Sequence, residues 1–168
     1  MIQVYTGNGK GKTTAAIGQA IRALGHGFKV LFIQFMKGDE YGEIKTLKKI
    51  PNITVKQFGL PTFVKKGEPK PDDIRLAQEG WQLAKRAIEK KDYDMIILDE
   101  LNCALDYGLL SLKDVLPTLK SAPKDLEIVI TGRYAPSELI AVADLVSEMK
   151  EIKHPLKKGV VNRVGIDY

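Results

Sequence analysis

The residues best suited to chemistry form one short stretch near the N-terminus. They are Thr6-Gly7-Asn8-Gly9-Lys10-Gly11-Lys12-Thr13-Thr14. Glycines at alternate positions let successive backbone N–H groups turn toward one point as an anion nest, and a helix that begins there adds the positive end of its dipole. Polyphosphate is the ligand that suits this arrangement. We expect Lys12 to reach the terminal phosphate oxygens and the Thr13 hydroxyl to take a place on Mg²⁺.

The elements on either side of this stretch support its interpretation as a phosphate-binding loop, or P-loop. A β-branched and aromatic run at 2–5 predicts a strand before it, and an Ala-rich pattern at 15–24 predicts a helix after it. A glycine-rich turn that only caps a helix is the alternative, but it leaves the lysine and the two threonines unexplained. The pattern departs from the usual loop at Thr6, where a glycine is more common.

A second group of polar side chains follows a predicted buried strand. Four apolar residues at 95–98 lead directly to Asp99 and Glu100, the arrangement known as Walker B. A strand that ends in this way delivers an acid to the crevice of the P-loop, where Asp99 or Glu100 holds Mg²⁺ directly or through water. An acid that caps the next helix is the alternative, and it applies more to Glu100 than to Asp99.

Further candidates lie at the carboxyl ends of other predicted strands, where open α/β sheets bind their ligands. Gln34, Phe35 and Lys37 lie at the end of an apolar run at 28–35. Their polar and aromatic groups make them site candidates.

Arg133 follows the apolar run at 126–131 and takes the same kind of position. A guanidinium there neutralises phosphate charge, although an ion pair with Asp99 or Asp144 is a comparable explanation. His154 is interpreted as a loop histidine, since the sequence supplies no partners for a metal site around it.

Strands that alternate with helices predict an α/β fold of the P-loop NTPase type, RecA-like, with a mostly parallel sheet and helices on both faces. The predicted strands are 2–5, 28–35, 53–58, 95–98, 126–131 and 145–152. The predicted helices are 15–24, 39–49, 72–91, 111–119 and 136–140. Asn102, Asp106 and Tyr107 indicate a polar turn, and an irregular tail is expected from 154 to 168.

No regular element is expected from 59 to 71, because three prolines and Gly67 interrupt the chain. A loop of this length in a compact domain is usually functional or mobile. Phe63 places an apolar ring on the loop, where it either packs against the body of the protein or contacts a ligand. Trp81, in the next helix, has the spacing of a core residue.

The composition bounds the class of protein. A length of 168 residues predicts a single domain over 1–168, and a formal net charge of +5 favours anionic partners. The sequence has no aromatic stacking series or concentrated basic stripe, so no nucleic-acid partner is expected. It has no apolar run long enough to span a bilayer, so no membrane partner is expected. A single cysteine, Cys103, suits a reducing compartment, and we expect a cytoplasmic location.

Several segments taken together resemble the P-loop family of ATP:corrinoid adenosyltransferases, the cob(I)yrinic acid a,c-diamide adenosyltransferases of bacterial cobalamin synthesis and salvage. These segments are 5–16, 34–38, 98–102, 107–108, 131–133, 143–149 and 153–155. The resemblance covers nearly the whole chain. It also accounts for Thr6, because the loop of this family is similar to T-G-x-G-K-G-K-T-T.

The resemblance implies that Co(I) of a reduced corrinoid attacks the 5′-carbon of ATP and releases inorganic triphosphate. It implies that the residues of 6–14 bind ATP, with Lys12 on the phosphates and with Lys10 and Arg133 neutralising their charge. Mg²⁺ is then held by Thr13 with Glu100 or Asp99.

The corrinoid substrate is implied to contact Phe35 and Phe63. Co(I) must be generated by an electron donor, for which a reduced flavoprotein is the implied partner. The family resemblance also implies a homodimer.

Two other functions use the same loop. A nucleoside kinase would transfer the γ-phosphoryl group and would need a base near its acceptor, for which Asp106 is the available extra acid. A RecA-like ATPase would couple hydrolysis to nucleic acid. A kinase yields ADP, whereas an adenosyltransferase yields triphosphate.

Overall fold

The computed structural model of this protein describes residues 1–155, 159 and 163–166. In chain order its elements are β1 (Ile2–Thr6), α1 (Lys12–Gly25), β2 (Val30–Phe35), α2 (Gly42–Leu47), β3 (Ile53–Phe58), α3 (Pro71–Lys90), β4 (Met95–Asp99), α4 (Leu101–Asp106), α5 (Leu112–Lys120), β5 (Glu127–Thr131), α6 (Ser137–Val142) and β6 (Leu145–Glu148). The strands form one sheet in the order β3-β2-β4-β5-β1-β6, and every neighbouring pair is parallel. This arrangement confirms the predicted α/β, P-loop NTPase-like fold.

The apolar runs of the sequence become the inner strands of the sheet. Every residue of β2 and β4 is buried, whereas β3 and β6, at the two edges, are largely half-buried or exposed. A strand covered by helices on both faces has no polar side, which explains why β2 and β4 are apolar except for Gln34 and Asp99 near their ends.

Helices pack on both faces of the sheet. Small residues let α1 lie close to one face, where Ala16, Ala20 and Ala23 pack with Phe32 and Ile97. The core on the other face contains buried residues of α3, α4 and α5. Trp81 is 3% exposed within that second core, as its helical spacing predicted.

Some predicted boundaries were wrong. The region of 102–107, interpreted as a polar turn, is largely the short helix α4, whose Leu101 and Ala104 are buried. The last strand ends at Glu148 rather than at 152, because the carbonyl of Met149 accepts a hydrogen bond from Gly9 N at 2.7 Å. The helix predicted at 39–49 covers only the residues of α2.

The predicted tail at 154–168 falls partly on 156–158, 160–162 and 167–168, which lie outside the described residues. Among the helices of the described ranges, none combines the length and hydropathy that crossing a membrane requires.

Candidate active site

The loop between β1 and α1 is built against the end of β6. A side chain at Gly7 would bring its Cβ within 2.4 Å of the Met149 carbonyl oxygen, and one at Gly9 would come within 2.7 Å of the Lys150 carbonyl oxygen. Both glycines are therefore required by a close backbone approach. The Gly9 N–H also donates to Met149 O, so in this structure that amide faces β6 and not an anion nest.

Lys12 is the first residue of α1 and folds back over the loop. Its Nζ donates to the carbonyls of Gly7 at 2.7 Å and Gly9 at 2.8 Å, and the residue is only 8% exposed. Burial lowers the pKa of Lys12, while the negative charge of Glu100 opposes this and the positive charge of Arg133 adds to it. The charges of Glu100 and Arg133, from other parts of the chain, therefore lie close enough to the Lys12 ammonium to act on it.

The carboxylate of Asp99 is fully buried and has a donor on each oxygen. Gln34 Nε2 donates to Oδ2 at 2.9 Å, and Thr131 Oγ1 donates to Oδ1 at 2.7 Å. Gln34 in turn accepts from Gln57 Nε2 at 2.9 Å. We call Gln57, Gln34, Asp99 and Thr131 the polar ladder. It crosses β3, β2, β4 and β5 at the carboxyl edge of the sheet.

Glu100 is the carboxylate that remains accessible. It takes a left-handed conformation, with φ of 62°, and its N–H donates to Thr131 Oγ1 at 3.0 Å. Its Oε1 lies 3.9 Å from Lys37 Nζ. Burial acts to lower the pKa of Lys37, but the nearby charges of Asp99 and Glu100 outweigh it, so this pKa is raised. The structure thus brings the candidate Lys37 close to Glu100, the second of the two Walker B acids.

Arg133 is exposed, beyond the end of β5. Both of its suggested acidic partners are engaged elsewhere, because Asp99 is bound within the polar ladder and Asp144 Oδ2 accepts from Ile2 N at 2.6 Å. Arg133 forms no ion pair with any other described residue. Its positive charge still acts on the P-loop, because it helps to lower the pKa of Lys12.

Other candidates are placed differently. Phe35 is fully buried in the core, so in this structure its ring offers no surface to a ligand, and the predicted corrin contact by Phe35 is corrected. Phe63 is 97% exposed, which excludes its alternative interpretation as a residue packed against the body. Thr6 Oγ1 accepts from Ala135 N at 3.3 Å, and Lys10 Nζ donates to Ile166 O at 2.7 Å.

The remaining loop positions lie around the first turn of α1. Gly11 precedes it with φ of 117°, Thr13 is half-buried, and Asn8 and Thr14 are exposed. Gly11 and Thr13 therefore lie where a helix N-terminus meets a bound anion.

The residues present fit a magnesium ion that is shared with phosphate. The described ranges contain no cluster of three or more His, Cys, Asp or Glu side chains able to hold a metal. Mg²⁺ at nucleotide sites usually takes one or two protein oxygens and completes its shell with phosphates and water. Thr13 and Glu100 supply that kind of partial donor set, whereas Asp99 has no accessible oxygen.

Thr131 is the important residue that the sequence reasoning did not assign. It bonds both Asp99 and the backbone of Glu100, and so fixes the two acids relative to one another. The available signal was a hydroxyl at the carboxyl end of a strand. Its significance depends on β5 lying beside β4.

A strand, a glycine loop and a helix, with a second strand of the same sheet that leads into two acids, define a P-loop nucleotide-binding protein. The chain matches, over residues 1–168, the family model described as ATP:corrinoid adenosyltransferase BtuR/CobO/CobP, and it belongs to that family.

Curated relatives agree with this placement. The chain is 40% identical to a corrinoid adenosyltransferase of Escherichia coli, over 100% of this chain and 85% of that protein. It is 38% identical to the Salmonella typhimurium corrinoid adenosyltransferase CobA, over 100% of this chain and 85% of that protein. It is 36% identical to a corrinoid adenosyltransferase of Pseudomonas aeruginosa, over 100% of this chain and 83% of that protein.

Proposed function

We propose that this chain transfers the 5′-deoxyadenosyl group of ATP to Co(I) of a reduced corrinoid and releases inorganic triphosphate. The observation that carries the proposal is the P-loop itself: Lys12 Nζ is held over the loop by the carbonyls of Gly7 and Gly9, and the half-buried Glu100 follows β4 in the same sheet. Two cations and one acid around a glycine loop suit a substrate with a long phosphate chain and a metal ion. The family match over the whole chain supports a corrinoid as the acceptor.

The leaving group in this reaction is the entire triphosphate. Cobalt attacks C5′ with its electron pair, the C5′–O bond breaks, and the electrons leave with the triphosphate. Binding groups that act on the departing charge accelerate the step, whereas equal binding of substrate and transition state would not. In our proposal the residues of 6–14 hold the triphosphate, and Lys12, Lys10 and Arg133 neutralise its charge.

Lys12 must change partners to take this role. In the structure its ammonium satisfies two loop carbonyls, those of Gly7 and Gly9. Phosphate oxygens would replace these neutral acceptors with charged ones, which form stronger hydrogen bonds. The carbonyl contacts therefore hold Lys12 close to the position from which it would bind.

Thr13 and Glu100 would supply the protein oxygens that hold Mg²⁺. When bound, the ion offsets negative charge on the phosphate oxygens. Asp99 would not contact the ion but would position Glu100, because Thr131 bonds both the carboxylate of Asp99 and the backbone N–H of Glu100. The protein supplies no general base in this scheme, since Co(I) is already a strong nucleophile. Its contribution is alignment of the two reactants and exclusion of water.

The corrinoid would approach from the loop at 59–70. Phe63 is the accessible aromatic residue on that loop, which supports its proposed contact with the corrin ring. A reductant must supply Co(I), and we include a reduced flavoprotein in the proposal as its donor. We also propose a homodimer, which is supported by exposed Leu145 and Val146 on the edge strand β6, and light scattering would test it.

The proposal is tested by anaerobic incubation with ATP and a chemically reduced corrinoid. The expected result is the absorption spectrum of an alkylcobalt product with one triphosphate released per adenosyl group transferred. ADP and free phosphate without an organometallic product would contradict it.

The kinase alternative is less well supported by the geometry. Asp106, its suggested base, already has one carboxylate oxygen engaged, because Oδ2 accepts a 2.6 Å hydrogen bond from Lys66 Nζ.

A further inference from the structure

One lysine of the loop between β3 and α3 is tied to a distant part of the chain. We call residues 59–70 the β3–α3 loop. Lys66 Nζ donates to Asp106 Oδ2 at 2.6 Å and lies 5.8 Å from the ring centre of Tyr107 and 5.2 Å from that of Tyr134. One ammonium therefore contacts a carboxylate and two aromatic faces.

These partners place the middle of the loop across the sheet. The loop leaves β3, an edge strand, but Asp106 and Tyr107 follow β4, and Tyr134 follows β5. β3 and β5 are three positions apart in the sheet, which corresponds to about 14 Å at about 4.8 Å per strand. Lys66 therefore joins the loop to the end of α4 and to the segment that follows β5, whose last residue, Thr131, belongs to the polar ladder.

The loop also carries Phe63, three residues before Lys66. Phe63 has almost no contact of its own with the protein, since 97% of its surface is exposed. Val64, in contrast, packs against the core. The position of the Phe63 ring thus depends on the contacts of the residues that follow it, Val64 with the core and Lys66 with Asp106, Tyr107 and Tyr134.

We propose that Lys66 is a positioning residue for the corrinoid: its contacts with Asp106, Tyr107 and Tyr134 hold the β3–α3 loop, and with it Phe63, across the open edge of the site. This inference rests on the proposed function, because it takes the corrinoid as the ligand of that edge. Lys66 itself contacts no substrate in this scheme. Its loss should weaken corrinoid binding while the P-loop, at the other side of the site, continues to bind ATP.

The neighbouring lysine provides a matched control. Lys65 Nζ pairs with Glu68 Oε2 at 2.7 Å, so its partner lies within the same loop, and both side chains are largely exposed. A lone exposed ion pair contributes little to stability. Lys65 and Lys66 are therefore adjacent cations of equal charge, of which only Lys66 joins the loop to other elements.

The first measurement compares Michaelis constants in Lys66→Ala, Lys66→Arg and Lys65→Ala. For Lys66→Ala we expect the KM for the corrinoid to rise about three- to tenfold, with the KM for ATP unchanged. Lys66→Arg should retain most of the wild-type value, because a guanidinium also bonds a carboxylate and stacks on rings. Equal corrinoid constants in Lys66→Ala and Lys65→Ala would overturn the proposal.

The second measurement does not depend on activity. Chymotrypsin cleavage after Phe63, followed by the masses of fragments 1–63 and 64–168, reports how readily the loop leaves the surface. We expect several-fold faster cleavage in Lys66→Ala than in the wild type or Lys65→Ala. Unchanged cleavage in Lys66→Ala would overturn the proposal, because it would show that Lys66 does not hold the β3–α3 loop. A wild-type protein that transfers no adenosyl group would overturn the proposed function, and the cleavage rates would still decide whether Lys66 holds the loop.

Discussion

Gln34 donates its side-chain amide to Asp99 at 2.9 Å, and both residues are completely buried. Their backbones are also direct neighbours, because β2 and β4 pair in the register that sets Gln34 beside Asp99. A buried carboxylate without donors would be costly, so this bond allows an acid to end a central strand. Gln34 therefore stabilises the buried carboxylate of Asp99 and does not face a ligand in this structure.

Gln34→Leu should destabilise the fold, because it removes a donor from one oxygen of Asp99 without exposing that oxygen to water. We expect a loss of about 1–3 kcal/mol in the free energy of unfolding, measured by urea denaturation. Gln57→Ala is the control: Gln57 belongs to the same ladder but is half-buried, so the expected loss is below about 1 kcal/mol. Equal stability of the Gln34→Leu variant and the wild type would show that the bond is not needed.

The sequence was sufficient to predict the fold where local pattern and tertiary environment agree. Uninterrupted apolar runs gave β2 and β4 as inner strands because only a doubly covered strand needs them. The helix α4 was missed, since its six residues are too few to display a period and Asn102 and Asp106 favour turns. The end of β6 was misplaced because it is determined by a contact with Gly9, 140 positions away from Met149 by number.

The site was also predicted only in part, because local pattern identifies the motif residues but not the contacts that depend on the order of the strands. Lys12 and Glu100 follow from motif spacing, and the structure places their charges within reach of one another. Phe35 was assigned to the ligand because it ends a strand, but a strand buried on both faces gives no sign of which face a residue occupies. The bond from Thr131 to Asp99 needs the strand order, which no local pattern supplies.

Replacing each of the two acids by its amide should show that Glu100 serves metal binding and that Asp99 serves stability. Glu100→Gln should raise the Mg²⁺ concentration required for triphosphate release and change the free energy of unfolding by less than about 1 kcal/mol, since Glu100 is half-buried. Asp99→Asn should instead cost about 1–3 kcal/mol in the free energy of unfolding. Only the oxygen of an amide accepts hydrogen bonds, so the donor of either Gln34 or Thr131 would face the amide nitrogen and lose its acceptor. Titration with Mg²⁺ and urea denaturation test the pair. A normal Mg²⁺ requirement in Glu100→Gln would exclude it as the metal ligand.

Lys12→Ala should remove most of the catalysis while the fold remains. We expect the rate of triphosphate release to fall at least about a hundredfold, the order found when one charge-stabilising donor is lost. Circular dichroism and the thermal midpoint provide the control for folding, and Lys49→Ala, a lysine exposed after α2, provides the control for net charge. Turnover close to the wild-type rate in Lys12→Ala would contradict its assigned role.

The two glycines Gly9 and Gly18 should respond to alanine in opposite directions. A Cβ at Gly9 would lie 2.7 Å from the Lys150 carbonyl oxygen, so Gly9→Ala should separate the loop from the end of β6 and cost about 1–3 kcal/mol. A Cβ at Gly18, exposed within α1, meets nothing within 4 Å, so Gly18→Ala should stabilise the protein by about 0.5–1 kcal/mol. Thermal unfolding measures both. A stable Gly9→Ala variant would mean that the contact with β6 is not maintained in solution.

Cys103 should be chemically inert in the folded protein. Burial, with the nearby charge of Glu100, raises the pKa of its thiol to about 12. At about pH 8 such a thiol is ionised to about one part in ten thousand, whereas an unperturbed thiol with a pKa of about 8.5 is ionised to roughly a quarter. Because the thiolate is the reactive form, iodoacetamide should label the native protein far more slowly than the urea-unfolded chain. Below pH 12 the native rate should rise about tenfold for each pH unit, because the thiolate fraction of a thiol with a pKa of about 12 rises in that proportion. Native labelling as fast as that of the unfolded chain at about pH 8 would place the thiol in water and away from Glu100.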